Sequence, residues 1–236
     1  MNQKFGCLAL LLLFMYLVSF TSCKPEDTIP PSLILLPDHN TTLYMYLPAV
    51  KGGAPTFADP GFTATDNNVD ISNKVKVYGQ VNPNLKGRYV LTYSVKDAAG
   101  NISTATRTVY VINNADSLAG IYTVTDTTMS SPSVINSYAA SIRSDNYVNN
   151  HIYFGNFGGI YGDSLVPGII NDSKTYITIP TDTATKLGSG QDIHVFSGGG
   201  PDSVGNLIPT VIKLSWTDQP ISPPSPKTLH NSVWKH

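Results

Sequence analysis

The sequence predicts an all-β chain of two domains, an N-terminal β-sandwich followed by a second antiparallel β-barrel or sandwich domain. Three observations predict it. Residues of pleated strands and tight turns dominate, with 13 Tyr, 19 Gly and 17 Pro among 236 residues beside abundant Thr, Val, Ile and Ser. Short segments alternate apolar and polar side chains with a period of two, which sends one face of each strand into a core. Turn clusters part these segments at roughly the 8 to 12 residue spacing of sandwiches. A chain of this length with 41% hydrophobic residues can fill two cores, since domains commonly run about 100 to 150 residues.

The first element is an address. Met1 to Lys4 supply a short positive start, Phe5 to Phe20 form an unbroken apolar run, and the small residues Thr21 and Ser22 follow. This is the layout of a secretory signal over residues 1–22. The 16-residue run falls short of the roughly 20 residues that a permanent span needs. Cys23, directly after Thr21-Ser22, resembles the acylated cysteine of the bacterial lipoprotein lipobox. The resemblance implies a mature chain that begins at Cys23 and is tethered to a membrane by its acyl chains, each buried methylene contributing about 0.8 kcal/mol. Cys7 is the other cysteine, so a disulfide between two positions of the mature body is excluded and each core must hold by burial and hydrogen bonding.

Residues 23–31 read as the lipidated cysteine and an extended, proline-rich linker, KPEDTIPP after the cysteine. In lipoproteins of the Bacteroidetes type, acids just after the cysteine accompany export to the outer surface, and Glu26 and Asp27 fit that pattern. The expected location is the outer membrane, lipid-anchored and facing the cell exterior.

Between residues 32 and 113 the candidate strands are Leu33 to Leu36, Leu43 to Leu47, Val75 to Tyr78, Arg88 to Val95 and Thr104 to Ile112. In the fourth, Tyr89, Leu91, Tyr93 and Val95 share one face. The turn string Asp97-Ala98-Ala99-Gly100-Asn101 then makes a hairpin with the fifth. DPGFTATD (Asp59 to Asp66), DIS (Asp70 to Ser72), Gly79, GRYVLTYSVKDAAGN (Gly87 to Asn101) and TATRTVYV together resemble the bacterial surface immunoglobulin-like domain. That resemblance implies a seven-stranded sandwich acting as spacer or adhesion module. Asp59, Asp66, Asp70 and Asp97 could serve as hard oxygen ligands for calcium, but short acids also cap turns by accepting backbone N–H groups, and their spacing fits no EF-hand loop. No metal or cofactor is expected.

Residues 114–220 repeat the texture. Candidate strands are Ile121 to Thr125, Tyr138 to Arg143, Asn150 to Phe154, Leu165 to Ile170, Thr175 to Ile179, Asp192 to Phe196 and Thr210 to Trp216, with a faintly helical look confined to Asn136 to Arg143. The region resembles the uncharacterised C-terminal β domain that follows such an immunoglobulin-like module in Bacteroidetes lipoproteins. Residues 221–236 open with Ser-Pro-Pro-Ser-Pro, lack a period and are expected to be a disordered tail.

Function is less legible. A charged fraction of 13% and a net charge of -1 offer no basic field for a phosphate backbone, so nucleic acid is not expected as a partner. Gly162-Asp163-Ser164-Leu165 spells the signature of the GDSL hydrolases, with Ser164 as the would-be nucleophile, but no Asp stands three residues ahead of any histidine. The five histidines show no zinc-site spacing, and no enzyme activity is expected. The run His151 to Tyr161 gathers Tyr153, Phe154, Phe157 and Tyr161 around Asn156 and three glycines. Aromatic faces beside short amides suit a sugar, whose C–H faces stack while its hydroxyls bond; aromatic strands are more often core. The expectation is a non-catalytic cell-surface binding protein that captures extracellular polysaccharide through these residues. The alternative is a structural or assembly subunit contacting an envelope protein.

Overall fold

The computed structural model describes residues 26–159, 165–174, 176–180, 182–185, 192–197, 211–220 and 228–236. The signal segment, Cys23, Tyr161, Ser164 and the two glycine clusters at 188–190 and 198–200 lie outside the described residues.

The first domain is built from β1 (Ser32–Leu35), β2 (Thr42–Tyr46), β3 (Phe62–Asp66), β4 (Val69–Asp70), β5 (Lys76–Tyr78), β6 (Gly87–Lys96) and β7 (Ile102–Ile112). Two sheets result, ordered β1-β3-β4 and β2-β7-β6-β5, with β2 parallel to β7 and the other pairs antiparallel. The period-two reading of β6 holds: Leu91, Tyr93 and Val95 are buried while Arg88 and Val90 face out. Leu35, Leu47, Leu91, Tyr93, Val109 and Val111 fill the core between the sheets.

Arg107 on β7 is fully buried among them. Its guanidinium donates to the Asp59 carboxylate and to the carbonyls of Leu36, Gly61 and Asn40. The acid is also the acceptor of the Tyr93 hydroxyl, so a cation inside the sandwich is neutralised and saturated with acceptors.

The second domain is a single nine-stranded antiparallel sheet made of β8 (Gly120–Thr128), β9 (Val134–Ser144), β10 (His151–Gly155), β11 (Leu165–Ile170), β12 (Ile177–Thr178), β13 (Asp182–Thr185), β14 (Asp192–Ser197), β15 (Val211–Pro220) and β16 (Thr228–Lys235). Its order is β12-β11-β10-β9-β8-β16-β15-β14-β13. Two meanders, β8 to β12 and β13 to β16, are thus joined where the last strand lies along the first. Near the free edges β11 and β13 approach each other, so the sheet rolls up around its core. Phe154, Phe157, Trp216 and Trp234 meet there, with ring centroids 5.1 Å apart for Phe154–Trp234 and 4.8 Å for Phe157–Trp216.

Two expectations are corrected. Residues 228–235 of the expected disordered tail form β16, a strand in the middle of the sheet that pairs with both β8 and β15; the domain therefore does not end at residue 220. Its inward residues are His230, Ser232 and Trp234, and two polar side chains among three hide the apolar alternation. Asn136 to Arg143 lies within β9 and has no helical character.

The domains meet at Asn113. Its buried side chain donates to the carbonyls of Asp145, Val148 and His151 and accepts from Ala115 N and Asn150 N. Beside it, Lys86 Nζ of the first domain reaches Asp116 Oδ1 at 2.8 Å and Ser144 Oγ at 2.7 Å. Backbone bonds from Lys86 N to Asn146 O and from Asn149 N to Pro48 O, both 2.8 Å, complete the junction.

Candidate functional site: a groove and a cleft on the second domain

Successive residues of a strand face opposite sides, so the register of β8 to β11 defines what the outer face presents. Ile121, Ser141, Gly155 and Leu165 stand in one cross-strand row. Gly155 contributes no side chain, and a Cβ there would sit 2.6 Å from Ser141 Oγ. A trough follows, flanked by Ile121, 74% exposed, and Leu165, 44% exposed. It forms an open groove of about 500 Å³ with Asn156 at one end and Arg143 at the other. Asn156, in a left-handed conformation at φ 56, donates its amide to Ala139 O at 2.7 Å, which fixes the rim.

Arg143 also borders a second concavity, about 440 Å³, between the two domains. Lys51 comes from the first domain; Asp145, Tyr147, His151 and Tyr153 come from the second. Asp145 caps its own turn by accepting from Tyr147 N and Val148 N, and its other oxygen accepts the Tyr153 hydroxyl at 2.7 Å. Burial pushes the Asp145 carboxyl up, but the bonds from Tyr153, Tyr147 and Val148 outweigh it and hold the group below the usual carboxylate range. The same bond to Asp145, aided by burial, pushes the Tyr153 phenol up to about 12. Tyr147 is 47% exposed, with Lys51 Nζ 5.3 Å from its ring centroid. Among the described residues no carboxylate pairs with Lys51 or Arg143.

Inside the rolled sheet a polar cluster interrupts the apolar core. His230 Nδ1 lies 2.7 Å from Asp126 Oδ2, Ser232 Oγ donates to Asp126 Oδ1, and Trp216 Nε1 donates to Ser232 Oγ. The Trp216 ring stacks on His230 with centroids 4.0 Å apart. Serine and histidine each take one oxygen of the same carboxylate, so the Asp126–His230 bond does not run on to the hydroxyl as in a hydrolase relay. The arrangement clamps β16 between β8 and β15.

On the first domain, ligand atoms of Asp27, Asp66 and Asp97 lie within 4.8 Å of one another. Of the four acids singled out in the sequence, Asp66 and Asp97 come together here, joined by Asp27 from the linker. Asp59 serves Arg107 and Gly61 N, and Asp70 caps Ser72 N.

The expected aromatic surface divides. Phe154 and Phe157 are fully buried, which corrects their assignment to a ligand surface: they sit on the inward face of β10 and in the turn after it, where the core takes them. Tyr153 and Asn156 face outward and border the cleft and the groove, respectively. Tyr161 is outside the described residues. Sequence reasoning missed Tyr147, Arg143 and Lys51: the first two lie at the β9–β10 turn, and Lys51, distant in the chain, reaches them across the domain junction.

Residues 50–111 match the family described as bacterial surface protein, Ig-like domain. The matched segment spans β3 to β7, while β1 and β2, which complete the two sheets, precede it. No curated protein sequence matches the chain. Among solved structures, a lipoprotein of Bacteroides thetaiotaomicron aligns at 23% identity and a TM-score of 0.34, over 87% of this chain and 100% of that one. The CBM51-2 and INT domains of ZmpB from Clostridium perfringens, solved with GlcNAc, align at 16% identity and a TM-score of 0.27, over 86% of this chain and 43% of that one.

Proposed function

We propose that this chain is a bacterial surface protein, a reading supported by the match of residues 50–111 to the bacterial surface Ig-like domain. We propose that it is held to the outer membrane through an acylated Cys23, faces the cell exterior and binds an extracellular polysaccharide without transforming it. The observation that carries this reading is the groove over Ser141 and Gly155, with apolar walls at Ile121 and Leu165 and polar ends at Asn156 and Arg143. Its flanks offer apolar contact to the C–H faces of a pyranose, and its ends offer donors to hydroxyls. The exposed ring of Tyr147 adds a stacking face nearby.

A glycan array probed with the full chain tests the reading. Binding to at least one extracellular polysaccharide is expected, and Ser141→Phe, which fills the trough, should lower it at least tenfold with the melting temperature unchanged. No binding to any glycan sinks the proposal.

The second reading, an assembly subunit, draws on another face. Tyr44, Tyr46, Tyr78 and Val90 are exposed on the outer side of the β2-β7-β6-β5 sheet, with Tyr44 stacked on Tyr110 at 5.3 Å. Tight capture of a co-expressed envelope protein, lost in Tyr44→Asp and kept in Ser141→Phe, would favour it.

A further inference from the structure

We propose that the cleft between the two domains holds the anionic group, a carboxylate or a sulfate, of an acidic saccharide whose neutral part lies in the adjoining groove. This rests on the polysaccharide reading above and narrows it to a substrate class.

Two cations border the cleft, Lys51 and Arg143, and one acid, Asp145. The acid is spoken for: two backbone N–H groups and the Tyr153 hydroxyl bond to its oxygens. It therefore has little left to offer the cations, and among the described residues neither cation has a carboxylate partner. Arginine presents a planar fork that matches a carboxylate or sulfate edge, and lysine a point charge beside it. His151, also on the rim, adds a ring nitrogen.

Arg143 lines the cleft and the groove alike, so the two concavities adjoin at its side chain. Together they amount to a sugar trough that ends in a positive pocket. The pocket is complete only with the domains docked, because Lys51 belongs to the first and Arg143 to the second. The bonds of Lys86 with Asn146, Ser144 and Asp116, and of Asn149 with Pro48, hold that geometry.

Calorimetric titration of the full-length chain in detergent tests the assignment, with oligogalacturonate and its fully methyl-esterified counterpart as probes. The acid form should bind at least tenfold more tightly at low ionic strength, and the difference should shrink as salt rises. Lys51→Gln, which lies outside the groove, should reduce the preference while leaving the ester's affinity unchanged; adding Arg143→Gln should abolish the preference, with some loss of ester affinity because Arg143 also ends the groove; Lys213→Gln, on the exposed face of β15, should change neither. Arg143→Lys alone should keep part of the preference, which separates lost charge from misfolding. Equal affinity for acid and ester overturns the anion pocket and leaves the polysaccharide reading standing. Absence of binding to both, with no other glycan retained on the array, overturns the two together.

Discussion

A guanidinium with no exposed surface must find its counter-charge where it lies, and Arg107 finds it in Asp59, whose side chain keeps 27% of its surface. Removing the acid leaves the cation stranded inside the sandwich, so Asp59→Asn should cost about 3 kcal/mol, at the low end for a broken buried pair because the acid is partly hydrated; the urea midpoint of the first domain measures it. Tyr153 offers a finer test. Its bond lowers the Asp145 pKa and raises its own from 10.0 to about 12. The lowered carboxyl stabilises the fold above its ordinary unfolded pKa of about 3.9 and loses that contribution as pH falls through its folded value. The raised phenol stabilises below pH 10 and loses its share as pH climbs toward 12. Tyr153→Phe should therefore cost about 1.5 kcal/mol near neutrality and move acid unfolding to higher pH. Above pH 10 the gap to the parent chain should narrow, and circular dichroism across the range would show a constant gap if the bond were absent.

At the level of strands, β16 bridges the two meanders of the second domain with a ladder on each side. A chain lacking residues 228–236 should leave that domain open and protease-sensitive while the first domain stays folded, which limited proteolysis with fragment mass analysis would read. Gly79 is held at φ +96, where a Cβ would run into the carbonyl oxygen of Val90 on the neighbouring strand. Gly79→Ala should detach β5 and cost more than the roughly 1 kcal/mol of an unstrained substitution, read as a lower melting temperature. Strands with one apolar face were legible in the sequence: β6 shows its buried Leu91, Tyr93 and Val95 by alternation alone. Strands whose inward face is polar were not, as β16 with His230 and Ser232 demonstrates. β3 went unrecognised as a strand because its inward Ala64 carries almost no hydrophobic signal. The candidate site was half legible. Alternation along β10 separates Tyr153 from Phe154, but it took the strand's position in the sheet to decide which of the two met solvent, and the pairing of Arg143 with Lys51 exists only in three dimensions.

For the molecule as a whole, the junction around Asn113 and Lys86 makes the two domains share one interface. Asn113→Ala leaves the carbonyls of Asp145, Val148 and His151 without their donor, a loss of about 1 to 3 kcal/mol. Calorimetry should then resolve two transitions where the parent chain shows closer coupling, and the same variant should loosen the cleft that Lys51 and Arg143 line. The central position of the closing strand also bears on the order of folding. A polypeptide that emerges amino end first presents β8 early, yet β16, the neighbour that seals it, comes only after β9 to β15. Until β16 emerges, the second domain remains an unsealed ribbon with its hydrophobic edges uncovered. Products cut short before residue 228 never reach the sealed form, which makes β16 a built-in check that the domain is whole.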